Sequence, residues 1–362
     1  FKEVSYFKDP QQSRTFEKDS HWTPSYGNRL KTRGGKIYQG SILEHLLVQH
    51  LVPFYNVGEH NLIRLESADW NDGLDMAFKR GESAAFMAIY GGNLLALADL
   101  LEDLARIKHI VHLRIAKEVM ILLDTLTEEH CDYENVEVKK KLLFETYFKL
   151  VQPEVSGEHL EAKVVDVVFD LRKKGQWIFE KLRRDEFISV REGKENYSWF
   201  NGYYDNKGVR VEGNVDNRVR MTLTGQVFPI MSGVARGEDI KEVVKSADKF
   251  LKDKKLGGFR LNTDFGVKHY LDLGRAFGFA YGTKENGAFF SHMNVMYAFA
   301  LYKRGFVKEG YDVLSSIYKM SHDTKRAKIY PGIPEYFDSE GRGMYHYLTG
   351  SASWLVLTEL TQ

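Results

Sequence analysis

One cysteine, Cys131, serves 362 residues, which excludes an intrachain disulfide framework and fits a reducing compartment. It sits in the polar stretch EEHCDYEN and reads as incidental rather than nucleophilic. No excess charge of one sign is present: 51 basic and 50 acidic residues leave a formal net charge of +1. The chain therefore has no overall field to draw nucleic acid or an anionic membrane, and neither is expected as a partner. Apolar runs of bilayer-spanning length are not evident. The first residues, FKEVSYFKDPQQSRTFEKDSHW, lack the charged-then-apolar order of a signal peptide, so the cytoplasm is the expected location. There is no Pro- or Ser-rich linker, no GxGxxG after a strand, no phosphate-binding P-loop and no GxSxG. His109 and His112 stand three apart, but no acid or cysteine pattern completes a ligand set; no metal and no organic cofactor is expected.

What is present is a core and a helical rhythm. Hydrophobic residues make up 43% of the chain, enough for a sizeable core, and aromatic residues 13%, a content that suits sugar stacking as well as packing. Apolar residues recur at helical spacing over 40–55, 82–105, 110–126, 136–151, 159–185, 224–235, 239–253, 288–305, 307–321 and 349–362. This is a mainly α fold of about ten helices. Its longer connections, 201–214, 254–266 and 329–345, hold many of the glycines. Helix pairs joined alternately by short turns and long loops suit a toroid of helical hairpins, whose long loops gather at one end where chemistry usually sits. Residues 1–362 read as one catalytic portion, with the highly charged segment of about 126–196 as a solvated helical excursion.

Three short stretches carry chemistry. In ESADWNDGLDMAFKRGES (66–83), Asp69, Trp70, Asn71 and Asp72 share a loop before a long helix. Glycoside cleavage needs a carboxylic acid to protonate the leaving oxygen, and an adjacent indole can both stack on a sugar and raise that acid's pKa. A turn with side-chain-to-backbone hydrogen bonds explains the stretch equally well. In YGTKENGAFFSHMN (281–294), Lys284, Glu285 and Asn286 lie in a glycine-flanked loop, and His292 falls near the start of the next helix. Free N–H groups there favour an anion, although a capped helix with a half-buried histidine is the simpler reading. In YHYLTGSASW (345–354), Thr349 and Gly350 open the last helix, as an anion site or as an ordinary cap. Together they suggest phosphate meeting a sugar.

These stretches, with YSWFNGYYDNKGVRVEG (197–213) and TGQVFPIMSGVA (224–235), resemble in order and separation the signatures of the inverting β-glycoside phosphorylases of glycoside hydrolase family 94. That family includes the cellobiose, cellodextrin, chitobiose and β-oligoglucan phosphorylases. The resemblance implies an (α/α)6 barrel, incomplete in this chain, and reversible inverting phosphorolysis of a β-linked gluco-oligosaccharide to α-glucose 1-phosphate. By the same resemblance Asp72 is the general acid. Trp70, Lys284 and Glu285 bind sugar, and His292, Thr349 and Gly350 bind phosphate, which is a co-substrate rather than a cofactor. Asp69 and Asp75 remain as loop supports, and Tyr203, Tyr204 and Tyr336 as stacking or packing residues. In the family, a β-sandwich domain and the first barrel helices precede the acid loop by several hundred residues. Here Asp72 stands close to Phe1, so the chain is expected to be a fragment or to depend on a homodimer or a second chain for the missing half. An inverting hydrolase using Glu285 or Glu335 as base, and a non-catalytic carbohydrate-binding subunit, are the alternatives.

Overall fold

The computed structural model describes residues 7–8, 17–18, 30–66, 72–127, 130–266, 269–330, 332–346 and 350–362. Among these the chain is mainly helical: α1 (Ile42–Tyr55), α2 (Ala84–Lys108), α3 (Val136–Lys140), α4 (Phe148–Val151), α5 (Val164–Asp185), α6 (Thr224–Ser232), α7 (Gly237–Phe250), α8 (Ser291–Lys303), α9 (Val307–His322), α10 (Thr324–Ala327) and α11 (Gly350–Thr361). Most of the periodic stretches appear as helices within a few residues of their expected bounds. A wider turn over Lys141–Tyr147 joins α3 to α4, so 136–151 is continuously helical.

Two expectations change. Residues 110–126 are not a helix: His112–Ala116 form a strand paired antiparallel with His159–Lys163, and short 3-10 turns follow. The run HLRIA is exposed or half-buried at His112–Arg114 and buried at Ile115 and Ala116, with no period-2 alternation that would have marked it as a strand. The second change concerns membrane length. The 25-residue α2 is, by length and composition, apolar enough to cross a bilayer. Half of its apolar window is buried, on a face that includes Ala84, Ala88, Leu94, Ala98 and Leu101, while Leu100, Leu104 and Ile107 are exposed.

The chain divides into two compact units, 1–64 with 90–178, and 65–89 with 179–362. In the first, α1 opens with a capping box in which Ser41 Oγ accepts from the Glu44 N–H and Glu44 returns a carboxylate to the Ser41 N–H. At its centre lies a polar cluster that the sequence places on a solvated face. Lys174 Nζ donates to Asp124 at 2.6 Å and to Asp170 at 2.5 Å, all three side chains being fully buried. Tyr55 and Tyr133 both donate to Asp124 Oδ1 at 2.8 Å, and Lys139 Nζ lies 3.8 Å from the Trp177 ring centre. Within the segment 126–196, Lys139, Asp170 and Lys174 are thus buried, while many of its other charged residues, such as Glu137, Lys149 and Glu161, are exposed. Asp124, Asp170 and Lys174 neutralise one another out of water, which composition cannot reveal. Cys131 is buried beside this cluster, and burial pushes its thiol up to about 11, an unreactive state.

In the second unit α8 packs on α6, α9 and α11. A core of Phe289, Ile317, Met320, Ala327 and Phe337 lies beneath a three-stranded antiparallel sheet of Phe289–Phe290, Tyr336–Phe337 and Gly343–Met344. Buried Asn294 on α8 ties in the preceding loop: its Oδ1 accepts from the Phe259 N–H at 3.1 Å and its Nδ2 donates to the Phe259 carbonyl at 2.9 Å.

Candidate functional site

The acid loop is anchored at both ends inside the second unit. Strand Glu82–Ser83 pairs antiparallel with Tyr203–Tyr204, setting Ser83 opposite Tyr203. Asn206 Oδ1 accepts from the N–H groups of Lys79 and Arg80 at 2.8 and 3.2 Å. At the other end the 3-10 turn Asp72–Leu74 lies against residues 274–278. Asp75 Oδ1 accepts from the Arg275 N–H at 2.9 Å, the supporting role expected of that acid. Gly274 is required by this approach: a Cβ there would fall 2.1 Å from the Gly73 carbonyl oxygen and 2.5 Å from the Leu74 Cα. Only the backbone of Asp72 is described. Asp69, Trp70 and Thr349 lie outside the described residues, so their roles remain as the resemblance implies.

Beside the turn lies a narrow cleft with about 30 Å³ of enclosed free volume. Leu74, Val211, Leu261, Leu273, Ala276 and Phe277 give it apolar walls. Tyr203, Thr222, Thr224, Asn262 and Glu285 supply polar groups, the mixture a sugar needs with its apolar faces and hydroxyl rim. Phe277 is held by a stacked Phe265, ring centres 5.0 Å apart.

Lys284 and Glu285 occupy a tight turn closed by the Asn286 N–H on the Thr283 carbonyl at 3.0 Å, with Lys284 at φ +47°. A left-handed lysine is uncommon and needs its surroundings to hold it. Asn286 Nδ2 donates to the Phe279 carbonyl at 2.7 Å, and Asn262 Nδ2 donates to Asn286 Oδ1 at 3.1 Å, so the third residue of the Lys-Glu-Asn stretch is the anchor. The turn sends the other two apart. Lys284 Nζ lies over the Phe279 ring at 4.6 Å, and a hydrogen bond with Tyr345 raises its ammonium above the usual lysine range. Glu285 lines the cleft, and its Oε2 is buried with no hydrogen-bond partner among the described residues.

Beyond the turn, Phe290 stacks on Tyr336 at 6.2 Å and leads into α8, whose Ser291 N–H donates to the Glu335 carbonyl at 2.8 Å. His292 follows in the first turn. Its imidazole lies directly against Gly350 at the start of α11, where an added Cβ would come within 2.5 Å of Cε1 and 2.8 Å of Nε2. That Nε2 is buried with no hydrogen-bond partner among the described residues, and burial depresses the ring's pKa below the usual 6.5. The structure thus joins two residues 58 positions apart, His292 and Gly350, through the starts of two packed helices. Both starts are electropositive, and a neutral imidazole with a free nitrogen there can turn a donor toward an oxyanion.

Of the three tyrosines, Tyr203 lines the cleft and Tyr336 adjoins Lys284. Tyr204 is a packing residue, its hydroxyl donating to Glu186 at 3.1 Å and accepting from Arg210 at 3.2 Å. Sequence reasoning missed Glu212, buried behind the cleft, because one acid in VRVEGN looks like any other surface acid.

The chain is similar to known phosphorylases. Solabiose phosphorylase of Paenibacillus borealis is 20% identical over 324 residues, covering 87% of this chain and 34% of that protein, a span that necessarily includes the acid loop. The 3-O-β-D-glucopyranosyl-β-D-glucuronide phosphorylase of the same organism is 26% identical over 171 residues, 45% of this chain and 22% of that protein. The chain thus spans about a third of the length of the first of these relatives. Among solved structures, the GH63 mannosylglycerate hydrolase from Thermus thermophilus in complex with glucose aligns with a TM-score of 0.38 at 13% identity, over 78% of this chain and 48% of that one. Residues 176–361, which contain Lys284, Glu285, His292 and Gly350, match the catalytic domain of the glycosyl hydrolase 94 superfamily, and the chain belongs to that family.

Proposed function

We propose that this chain is the catalytic portion of an inverting phosphorylase acting on a β-linked gluco-oligosaccharide, built on an (α/α)6 barrel. The observation that carries the reading is His292, packed on Gly350 beside two helix starts, with a buried Nε2 that has no hydrogen-bond partner among the described residues. A glycoside hydrolase has no use for an anion site of this kind, whereas a phosphorylase binds its nucleophile there. Asp72, protonated, gives its proton to the interglycosidic oxygen. Phosphate held by His292, Thr349 and Gly350 attacks the anomeric carbon from the opposite face. The C–O bond to the leaving sugar breaks, and the product is α-glucose 1-phosphate. One catalytic carboxyl suffices, because phosphate replaces the base-activated water of an inverting hydrolase. Trp70, Lys284 and Glu285 contact the sugars in this scheme, Lys284 and Glu285 on either side of the scissile bond.

The alternative of an inverting hydrolase draws support from one feature, the Glu285 Oε2 in the cleft, which has no hydrogen-bond partner among the described residues and from which a second carboxylate could activate water. Incubating the protein with cellobiose or cellotriose, with and without phosphate, separates the two. Glucose 1-phosphate formed only when phosphate is present, and abolished by Asp72→Asn, is the expected result. Hydrolysis indifferent to phosphate, or no turnover in either condition, would overturn the proposal.

A further inference from the structure

Glu212 is an acid outside the proposed catalytic set, 2% exposed, in the segment that leads from the cleft wall at Val211 to the strand Gly213–Val215. Four donors converge on its carboxylate. Oε1 accepts from the Gly202 N–H at 2.9 Å and from Thr222 Oγ1 at 2.6 Å. Oε2 accepts from the Thr222 N–H at 2.9 Å and from Gln226 Nε2 at 3.4 Å. Two glycines make room for it: a Cβ on Gly202 would lie 2.9 Å from Oε1, and one on Gly225 2.6 Å. Thr222 Oγ1 in turn accepts from the Gly225 N–H at 3.1 Å, which ties the carboxylate to the first turn of α6.

We propose that Glu212 is the positioning residue of the cleft, a buried carboxylate that fixes Gly202 and Thr222 and through them sets Tyr203, Thr222 and Thr224 against bound sugar. This rests on the reading of the cleft as a sugar site. Three separate stretches, 201–204, 211–212 and 222–226, meet at this group, and each places a residue on the cleft. An amide could not replace it, since every direction it faces is already filled by a donor and its NH2 would point at one. The partners named above are uncharged, and among the described residues no charged side chain is hydrogen-bonded or ion-paired to Glu212. Burial pushes its carboxyl up to about 8, while the converging donors oppose that rise. Near neutrality the group therefore sits close to a change of state, and ionisation tightens the donors around it.

The test compares wild type with Glu212→Gln in two ways. In phosphorolysis of cellotriose, the substitution should lower kcat/KM for the sugar by about tenfold or more. It should leave KM for phosphate within about twofold and remove the limb near pH 8 from the wild-type profile. In 15N-resolved NMR without any substrate, the Gly202 and Thr222 amides should titrate together near pH 8 in wild type and not in the variant. Loss of sugar and phosphate parameters in equal proportion would reduce Glu212 to a folding role and overturn the inference, as would unchanged kinetics. If wild type turns over no sugar, the proposed function fails. Hydrogen exchange at the Gly202 and Thr222 amides still decides whether Glu212 holds those two backbones, and equal protection in wild type and Glu212→Gln would refute the inference by itself.

Discussion

The contact between His292 and Gly350 makes Gly350→Ala the sharpest perturbation available. No left-handed backbone demands glycine at this helix start; the requirement is space. The new methyl would lie 2.5, 2.6 and 2.8 Å from Cε1, Nδ1 and Nε2 of the imidazole, roughly 1 Å inside ordinary contact. The ring must therefore move by about that amount, against a neighbouring Trp354 whose indole centre is 6.3 Å away and is itself packed by Phe299. Overpacking of this size costs about 1–3 kcal/mol, and the better helix propensity of alanine returns roughly 1 kcal/mol. The melting temperature should change by only a few degrees. Phosphate binding should suffer far more. A hydrogen bond to a charged group contributes about 1.5–3 kcal/mol, so its loss weakens phosphate by about 10- to 150-fold. The assay is a phosphate titration followed through the His292 ring protons, with KM for phosphate measured in parallel. A double-mutant cycle adds a stringent control, because in the His292→Ala background the extra methyl has nothing to displace and should cost nothing further. If Gly350→Ala binds phosphate as wild type does, or if the two substitutions add fully, the anion site is not where His292 meets Gly350.

Other outcomes follow from the same geometry. Gly274→Ala drives a methyl into the backbone of Gly73 and Leu74, which cannot yield as a flexible side chain would. It should move the Asp72 turn and lower kcat by about 100-fold, with a loss of about 1–3 kcal/mol in denaturant melts. Lys174→Met leaves Asp124 and Asp170 buried without their cation, and urea denaturation should show a loss of about 3–5 kcal/mol. His292 has a depressed pKa in the folded protein, so the unfolded chain binds its proton more readily. Its contribution to stability is complete above pH 6.5 and is lost as pH falls below that value. Bound phosphate should raise the ring's pKa, and NMR titration with and without phosphate reads the shift directly.

The acids around Asp72 illustrate how sequence and structure divide the work. A proton donor beside an indole could be proposed from ESADWNDGLD alone, because side-chain type and local turn chemistry are written in adjacent residues. So could the anion-binding character of the starts of α8 and α11, since a helix N-terminus presents free N–H groups whatever surrounds it. Most helices were legible for the same reason, as their periodicity is local. The strand at His112–Ala116 was not, because its pairing partner lies more than forty residues away at His159–Lys163. Pairing over such a distance leaves no mark in a short window.

Tertiary structure alone decided the rest. Lys174 looks like a surface lysine in LRKKGQ until Asp124 and Asp170 close around it. Glu212 becomes a group of consequence only where Gly202, Thr222 and Gln226 converge, and nothing in VRVEGN foretells that. Lys284 and Glu285 are neighbours in sequence, yet their turn sends one to an aromatic surround and the other into the cleft. The sequence by itself determined the chemistry each residue can offer and the helices that carry it. Which groups lose water, and which of them face one another, is set by long-range packing, since burial and partnership are properties of the folded chain and not of any residue in it.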